Sequence, residues 1–249
     1  MNGIAILTYH SLDTSGSVVS VAPAEFAAQM ACLAEMGVRG IALREAVAHR
    51  RAAGEWPPNS MVLTFDDGYA SFREVAMPVL MRHAFRATVF PVTGHVGGRN
   101  DWASPVLGLG LRPMLSWEQL GEASRDGMEI GAHTRAHCDP RRIPRSAVAE
   151  EILASRDAVE RRLGFRVESF AYPFGIVTSD AREVVRREFR AGCTTVLKRV
   201  GDEPFELLPR VDMYYVRTAS RLRRLVNGRL DRLLAARRLG RAIRTVLSG

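Results

Sequence analysis

The side chains best suited to chemistry in this 249-residue chain are two adjacent carboxylates, Asp66 and Asp67, and two histidines four residues apart, His133 and His137. Thr64-Phe-Asp-Asp-Gly68 follows the apolar run Met61–Leu63, and His133-Thr-Arg-Ala-His137 follows the similar run Met128–Ala132. Neighbouring carboxylates at a rigid strand end can divide labour, one binding a hard or borderline cation while the other stays free as a base. Histidines at this spacing can reach one metal from a helical turn or a tight loop. Asp-Gly alone is a common turn dipeptide. It is the joint occurrence of two such motifs, each after a strand signal, that points to a site.

The elements that must carry these residues alternate along the chain. Strand-like Gly3–Tyr9 precedes a helix over Ala24–Met36 with Pro23 ahead of it. Strands at Met61–Phe65 and Ala87–Pro91 flank a helical stretch, Ala70–His83, which Pro78 kinks or divides. Ser116-Trp-Glu-Gln119 has capping-box spacing and opens a helix to Arg125, followed by strand-like Met128–Ala132. Helices near Ser146–Leu163 and Ser179–Phe189 then alternate with strands at Ser169–Tyr172 and Gly192–Val196, while the glycine-rich Thr93–Pro113 reads as a long loop. Such alternation argues for a parallel sheet or barrel. In a barrel, reactive groups collect at the C-terminal strand ends. His10, Asp66, Asp67, His133, His137 and Tyr172-Pro-Phe-Gly175 all fall at such positions.

Composition sets outer bounds. A chain that is 47% hydrophobic can bury a sizeable core in one large domain. There is no apolar stretch of spanning length, and the start runs directly into strand-like sequence without a basic leader, which predicts a cytoplasmic location. Cys32, Cys138 and Cys193 are odd in number and far apart, as suits reduced thiols. The net charge of +8 is concentrated: Arg217–Gly249 holds ten of the 35 basic residues and one of the 27 acidic ones. There Leu222, Leu225, Val226, Leu230, Leu233, Leu234, Ile243, Val246 and Leu247 recur at three- and four-residue steps between arginines, with breaks at Gly228 and Gly240. This basic amphipathic tail is suited to an anionic membrane surface or to packing on the barrel with its arginines solvated. Nucleic acid is the least favoured partner.

The motifs Thr64–Gly68, His133–His137 and Phe170-Ala-Tyr-Pro-Phe-Gly175 resemble those of the polysaccharide deacetylase family, carbohydrate esterase family 4 with its NodB homology domain, over roughly residues 3–215. The resemblance implies a distorted (β/α)7 TIM-like barrel; the shift in charge near residue 216 bounds it at 1–216, with 217–249 as the basic helical tail. By it, Asp67, His133 and His137 bind a divalent metal, Zn2+ first, with Co2+, Ni2+ or Fe2+ as alternatives. Asp66 is then the general base, the Phe174 backbone N–H holds the oxyanion, and Tyr69 and Tyr172 face the substrate.

Two departures from the family pattern matter. The arginine expected four residues before Gly175 is Ala171 here; Arg210, in Leu208-Pro-Arg-Val-Asp212, is the candidate to replace it, unless it is an ordinary surface arginine. The general-acid histidine usual near the C-terminus is also missing, since no histidine follows His137. Poly-N-acetylglucosamine deacetylases of the biofilm type are circularly permuted members in which that strand comes first, and Leu7-Thr-Tyr-His10 has the required form. His10 is therefore expected as the acid.

The expected activity is metal-dependent removal of an N-acetyl group from an amino sugar in a glycan or lipid-linked precursor. The lipid-linked substrate would lie at the inner membrane face, where each arginine near an anionic leaflet contributes on the order of 1 kcal/mol. Soluble conjugates, including nucleotide-linked sugars, are the alternative substrates. The competing functions are another metal-dependent hydrolase, such as a phosphoesterase, or a catalytically degenerate barrel acting as an adaptor through its tail. Oligomeric state is not indicated.

Overall fold

Short apolar runs become strands that are buried on both faces, as a parallel sheet covered by helices requires. The computed structural model describes residues 3–102 and 108–237. It opens with β1 (Ile6–Tyr9), the small pair β2 (Ser11–Leu12) and β3 (Ser20–Val21), α1 (Pro23–Glu35), β4 (Arg39–Ile41) and α2 (Leu43–Ala53). There follow β5 (Ser60–Asp67), α3 (Met77–Arg82), β6 (Thr88–Pro91), α4 (Trp117–Arg125), β7 (Glu129–Ile130) and α5 (Arg145–Leu163). The chain continues through β8 (Ser169–Ala171), α6 (Ser179–Glu188), β9 (Ala191–Leu197), β10 (Leu208–Asp212) and α7 (Ala219–Val226).

Seven strands form a parallel ring in the order β7-β6-β5-β1-β10-β9-β8. A single bridge between Ala132 and Phe170 joins its two ends. The first strand thus lies between β5 and β10, with Leu7 in register with both Leu63 and Val211. β4 runs beside the first half of β5, where Ile41 pairs with Val62, and β6 takes the second half, where Thr64 pairs with Thr88. This is the expected (β/α)7 barrel.

Alternation along β5 separates two layers. Val62 packs with Ile6, Phe90, Cys193 and Leu208 inside the ring. Leu63 and Phe65 face outward to Phe26, Met30 and Leu33 of α1. There Phe65 stacks on Tyr9 at 5.1 Å and meets Phe72 edge-on at 4.8 Å. Glu129 is held deep in the interior, where it accepts hydrogen bonds from Ser169 at 2.6 Å, Thr88 at 2.7 Å and the Arg44 N–H at 2.8 Å.

Local signals hold where side chains can enforce them. Ser116 and Gln119 form a complete capping box at α4. Pro78 falls in the first turn of α3, and the stretch before it, Phe72–Ala76, is a π-helical turn, so the element is in two pieces. In the tail, Leu222, Leu225, Leu230 and Leu234 are at most 1% exposed and join the outer core. Most of the apolar stripe therefore packs on the barrel as far as residue 234, with Leu233 left exposed, and Ile243, Val246, Leu247 and Gly240 lie outside the described residues. No described helix is long and apolar enough to cross a membrane.

Candidate active site

The C-terminal ends of β1, β5 and β8 and the segment after β7 open into a cleft of about 510 Å³, lined by His10, Asp66, Asp67, His133, His137 and Tyr172 among others. Two strands deliver the paired acids and their partner. Asp66 points inward from β5, and Arg210 of β10 grips it with two hydrogen bonds of 2.6 Å, one to each carboxylate oxygen. Arg210 is only 1% exposed, and its fork is completed by the Thr194 carbonyl at 3.0 Å and the Thr64 hydroxyl at 3.2 Å. Burial works against an ionised Asp66, yet the charge and hydrogen bonds of Arg210 outweigh it and hold the carboxyl below the ordinary range. His10, at the end of β1, brings Nε2 to 3.8 Å from Asp66 Oδ2.

Asp67 turns the other way, because its backbone adopts φ 70°. Its Oδ1 lies 3.3 Å from His133 Nε2 and 3.4 Å from His137 Nε2. All three groups are buried, with their ligating atoms within 4.8 Å of one another. The His133 Nδ1–H donates to the Ala171 carbonyl at 2.7 Å, which fixes the ring with Nε2 toward the aspartate. Asp67 Oδ1 has no hydrogen-bond donor of its own. One carboxylate and two imidazoles, buried and converging on one point, are the donor set and spacing that fit a divalent metal. Burial above all keeps the His137 imidazole deprotonated down to about 4, the form a metal ligand needs.

The backbone around this triad is strained. Asp67, Thr134 (φ 63°), His137 (φ 51°) and Phe174 (φ 57°) all have left-handed conformations although none is glycine. Gly175 also has positive φ, and a Cβ there would lie 2.0 Å from Thr195 Oγ1, so only glycine lets the Tyr172–Gly175 turn sit against β9. That turn places the half-exposed Phe174 ring 4.5 Å from His137. Ala171 thus lacks the motif arginine side chain but supplies the carbonyl that orients His133.

Of the residues expected at the substrate wall, Tyr172 lines the cleft. Tyr69 does not: it is 1% exposed and packs with Val92, Trp102 and Met114 behind Asp67, because β5 ends in a turn that directs it inward. Cys138 faces Glu151 at 3.8 Å and stands outside the triad. Trp102, whose ring lies 4.8 Å from His137, had no signal in the sequence beyond being an aromatic residue in a loop. Tyr214 and Asp212 also line the cleft and follow from β10 once that strand is placed.

Comparison with known proteins places the family and the fold. Residues 53–189 match the polysaccharide deacetylase family model. The chain belongs to the polysaccharide deacetylase family. Among curated members it is 25% identical over 180 residues to the poly-beta-1,6-N-acetyl-D-glucosamine N-deacetylase of Staphylococcus aureus (strain MRSA252), covering 68% of this chain and 58% of that protein. It is 24% identical over 193 residues to YxkH of Bacillus subtilis (strain 168), whose name places it among polysaccharide deacetylases, covering 77% of this chain and 64% of that one. The chain thus spans less than two thirds of either relative. Among solved structures, IcaB from Ammonifex degensii superposes with a TM-score of 0.74 at 26% identity, covering 90% of this chain and 98% of that one. The Streptococcus pyogenes deacetylase PplD, solved with acetate, gives 0.77 at 23%, covering 88% and 96%.

Proposed function

We propose that this family member is a metal-dependent deacetylase that hydrolyses the N-acetyl group of an amino sugar in a glycan or a lipid-linked glycan precursor, giving acetate and a free amine. The observation that carries the reading is the separation of two neighbouring carboxylates. Asp67 faces two imidazoles, whereas Arg210 holds Asp66 aside, ionised and 3.8 Å from His10.

A divalent cation held by Asp67, His133 and His137, with Zn2+ the first candidate for this N/O donor set, supplies Lewis-acid polarisation of an acetamide carbonyl and of water. Asp66 takes the proton of the attacking water; the Arg210 fork occupies one lone-pair direction of each oxygen and leaves others open. The backbone N–H of Phe174 serves the developing oxyanion. His10 passes a proton to the nitrogen as the C–N bond breaks, because an amine leaves poorly as an anion. Tyr172 forms part of the wall on which the sugar rests.

The test is acetate release by metal-loaded protein from N-acetylglucosamine oligomers and prenyl-linked N-acetyl sugars. Asp66→Asn is expected to lose turnover by at least about a hundredfold while keeping its metal, whereas Asp67→Ala loses the metal itself. Acetate release by Asp66→Asn at the wild-type rate would end the proposal.

A further inference from the structure

Beside the catalytic cleft lies a second compartment of about 300 Å³, lined by Tyr214, Tyr215, Arg217, Arg221, Leu233 and Arg237 among others. It is continuous with the first, since Tyr214, Tyr215 and Arg237 border both. Three arginines line this space, and among the described residues its lining has no carboxylate. The acidic group at the junction, Asp212, lines the main cleft and accepts the Tyr214 N–H at 2.9 Å.

Arg217 is held in place rather than simply solvated. Its guanidinium lies 4.8 Å over the Tyr214 ring and donates to the Ser17 carbonyl at 2.8 Å, while its buried Nε has no hydrogen-bond partner. Arg221 reaches the Tyr215 carbonyl at 3.4 Å. A neutral sugar offers these groups only uncharged oxygens. Phosphate oxygens match guanidinium forks in charge and in geometry.

We propose that this compartment seats a phosphate or diphosphate carried by the substrate, so that the preferred substrate is a phosphate-linked N-acetyl amino sugar rather than a neutral polymer. The inference rests on the deacetylase reading for its chemistry but not for its binding. Two carriers share the anion: a nucleotide and a prenyl lipid. Leu233, 40% exposed at the edge of the compartment, provides apolar surface for the second.

The experiment compares UDP-N-acetylglucosamine, prenyl-diphosphate N-acetylglucosamine in micelles and the neutral N-acetylglucosamine tetramer. It uses the metal-loaded full chain and its Arg221→Gln/Arg237→Gln variant, following both calorimetric binding and acetate release. The expected result is a kcat/KM for one diphosphate sugar on the order of tenfold or more above the tetramer, with that ratio and the binding affinity falling about tenfold in the variant. Preference for the UDP or the prenyl compound identifies the carrier. Equal or better use of the tetramer overturns the inference while leaving the deacetylase intact. Absence of acetate from every substrate, with stoichiometric metal, overturns the deacetylase reading, and the binding comparison then decides the compartment alone: affinity for both diphosphate sugars that is absent, or unchanged by the substitutions, refutes it.

Discussion

Asp66 and Arg210 form a buried ion pair whose two hydrogen bonds hold the carboxylate in one orientation. Both are buried, and removing the cation would leave an uncompensated carboxylate, a defect that costs about 3–5 kcal/mol in comparable sites. As built, the lowered carboxyl adds stability above the ordinary aspartate range and loses it only as pH falls through the depressed folded value. Arg210→Met is therefore expected to lower the urea midpoint at neutral pH. It should also move the acid limb of kcat/KM upward, because burial then acts on Asp66 without opposition. An acid limb unchanged from wild type would show that Arg210 does not set the base. Asp66, Asp67, His133 and His137 were legible in the sequence because their motifs are local, each spanning five residues. Arg210 was legible only as one of two alternatives, since its partner lies 144 residues away. Left-handed φ at Asp67, Thr134, His137 and Phe174 has no sequence signal at all in non-glycine residues.

At the scale of elements, α2 starts without a side-chain cap of its own. The Leu43 N–H donates to Thr88 at 2.8 Å and the Arg44 N–H to Glu129, so the barrel interior caps the helix. Burial raises the Glu129 carboxyl above its ordinary value despite the hydrogen bonds from Ser169, Arg44 and Thr88. A raised acid binds more protons folded than unfolded, so Glu129 takes stability away as pH rises from about 4.3 through its folded value. Glu129→Gln mimics the protonated group, with its amide donating to Ser169 and its oxygen accepting the other two bonds. It is expected to flatten the stability profile over that window in urea titrations at stepped pH; the wild-type slope in the variant would refute the assignment. β4 and α2 escaped the sequence reading for related reasons. β4 is three residues long, and α2 buries only Leu43, Ala46 and Val47 on an arginine-rich helix. The two-residue β2 and β3 were missed as well, being too short to show a period, and β10 was read only as the segment that holds Arg210; an apolar run, a proline or a cap marks most of the rest.

At the scale of the molecule, the tail is part of the outer core as far as it is described. Gln29 of α1 donates to the Val216 and Arg217 carbonyls at 3.2 and 2.5 Å, and Leu222 and Leu225 are fully buried above it. Leu222→Ala should cost about 2–5 kcal/mol in chemical denaturation, and a cost below about 0.5 kcal/mol would mean the helix is peripheral. Deleting the tail at residue 216 is consequently a poor probe of membrane affinity, and exchanging exposed arginines for glutamine is the better one. The bridge that completes the ring has a further consequence. It consists of the Ala132 N–H on the Ser169 carbonyl and the Ala171 N–H on the Ala132 carbonyl, both 3.0 Å, next to His133 on the Ala171 carbonyl. The barrel is thus fastened beside the three residues proposed to hold the cation. Chelation should act as an unfastening: the Ala132 and Ala171 amides are expected to exchange with deuterium much faster in stripped protein while those of β1 and β5 stay protected, and uniform protection would show a hoop that needs no clasp.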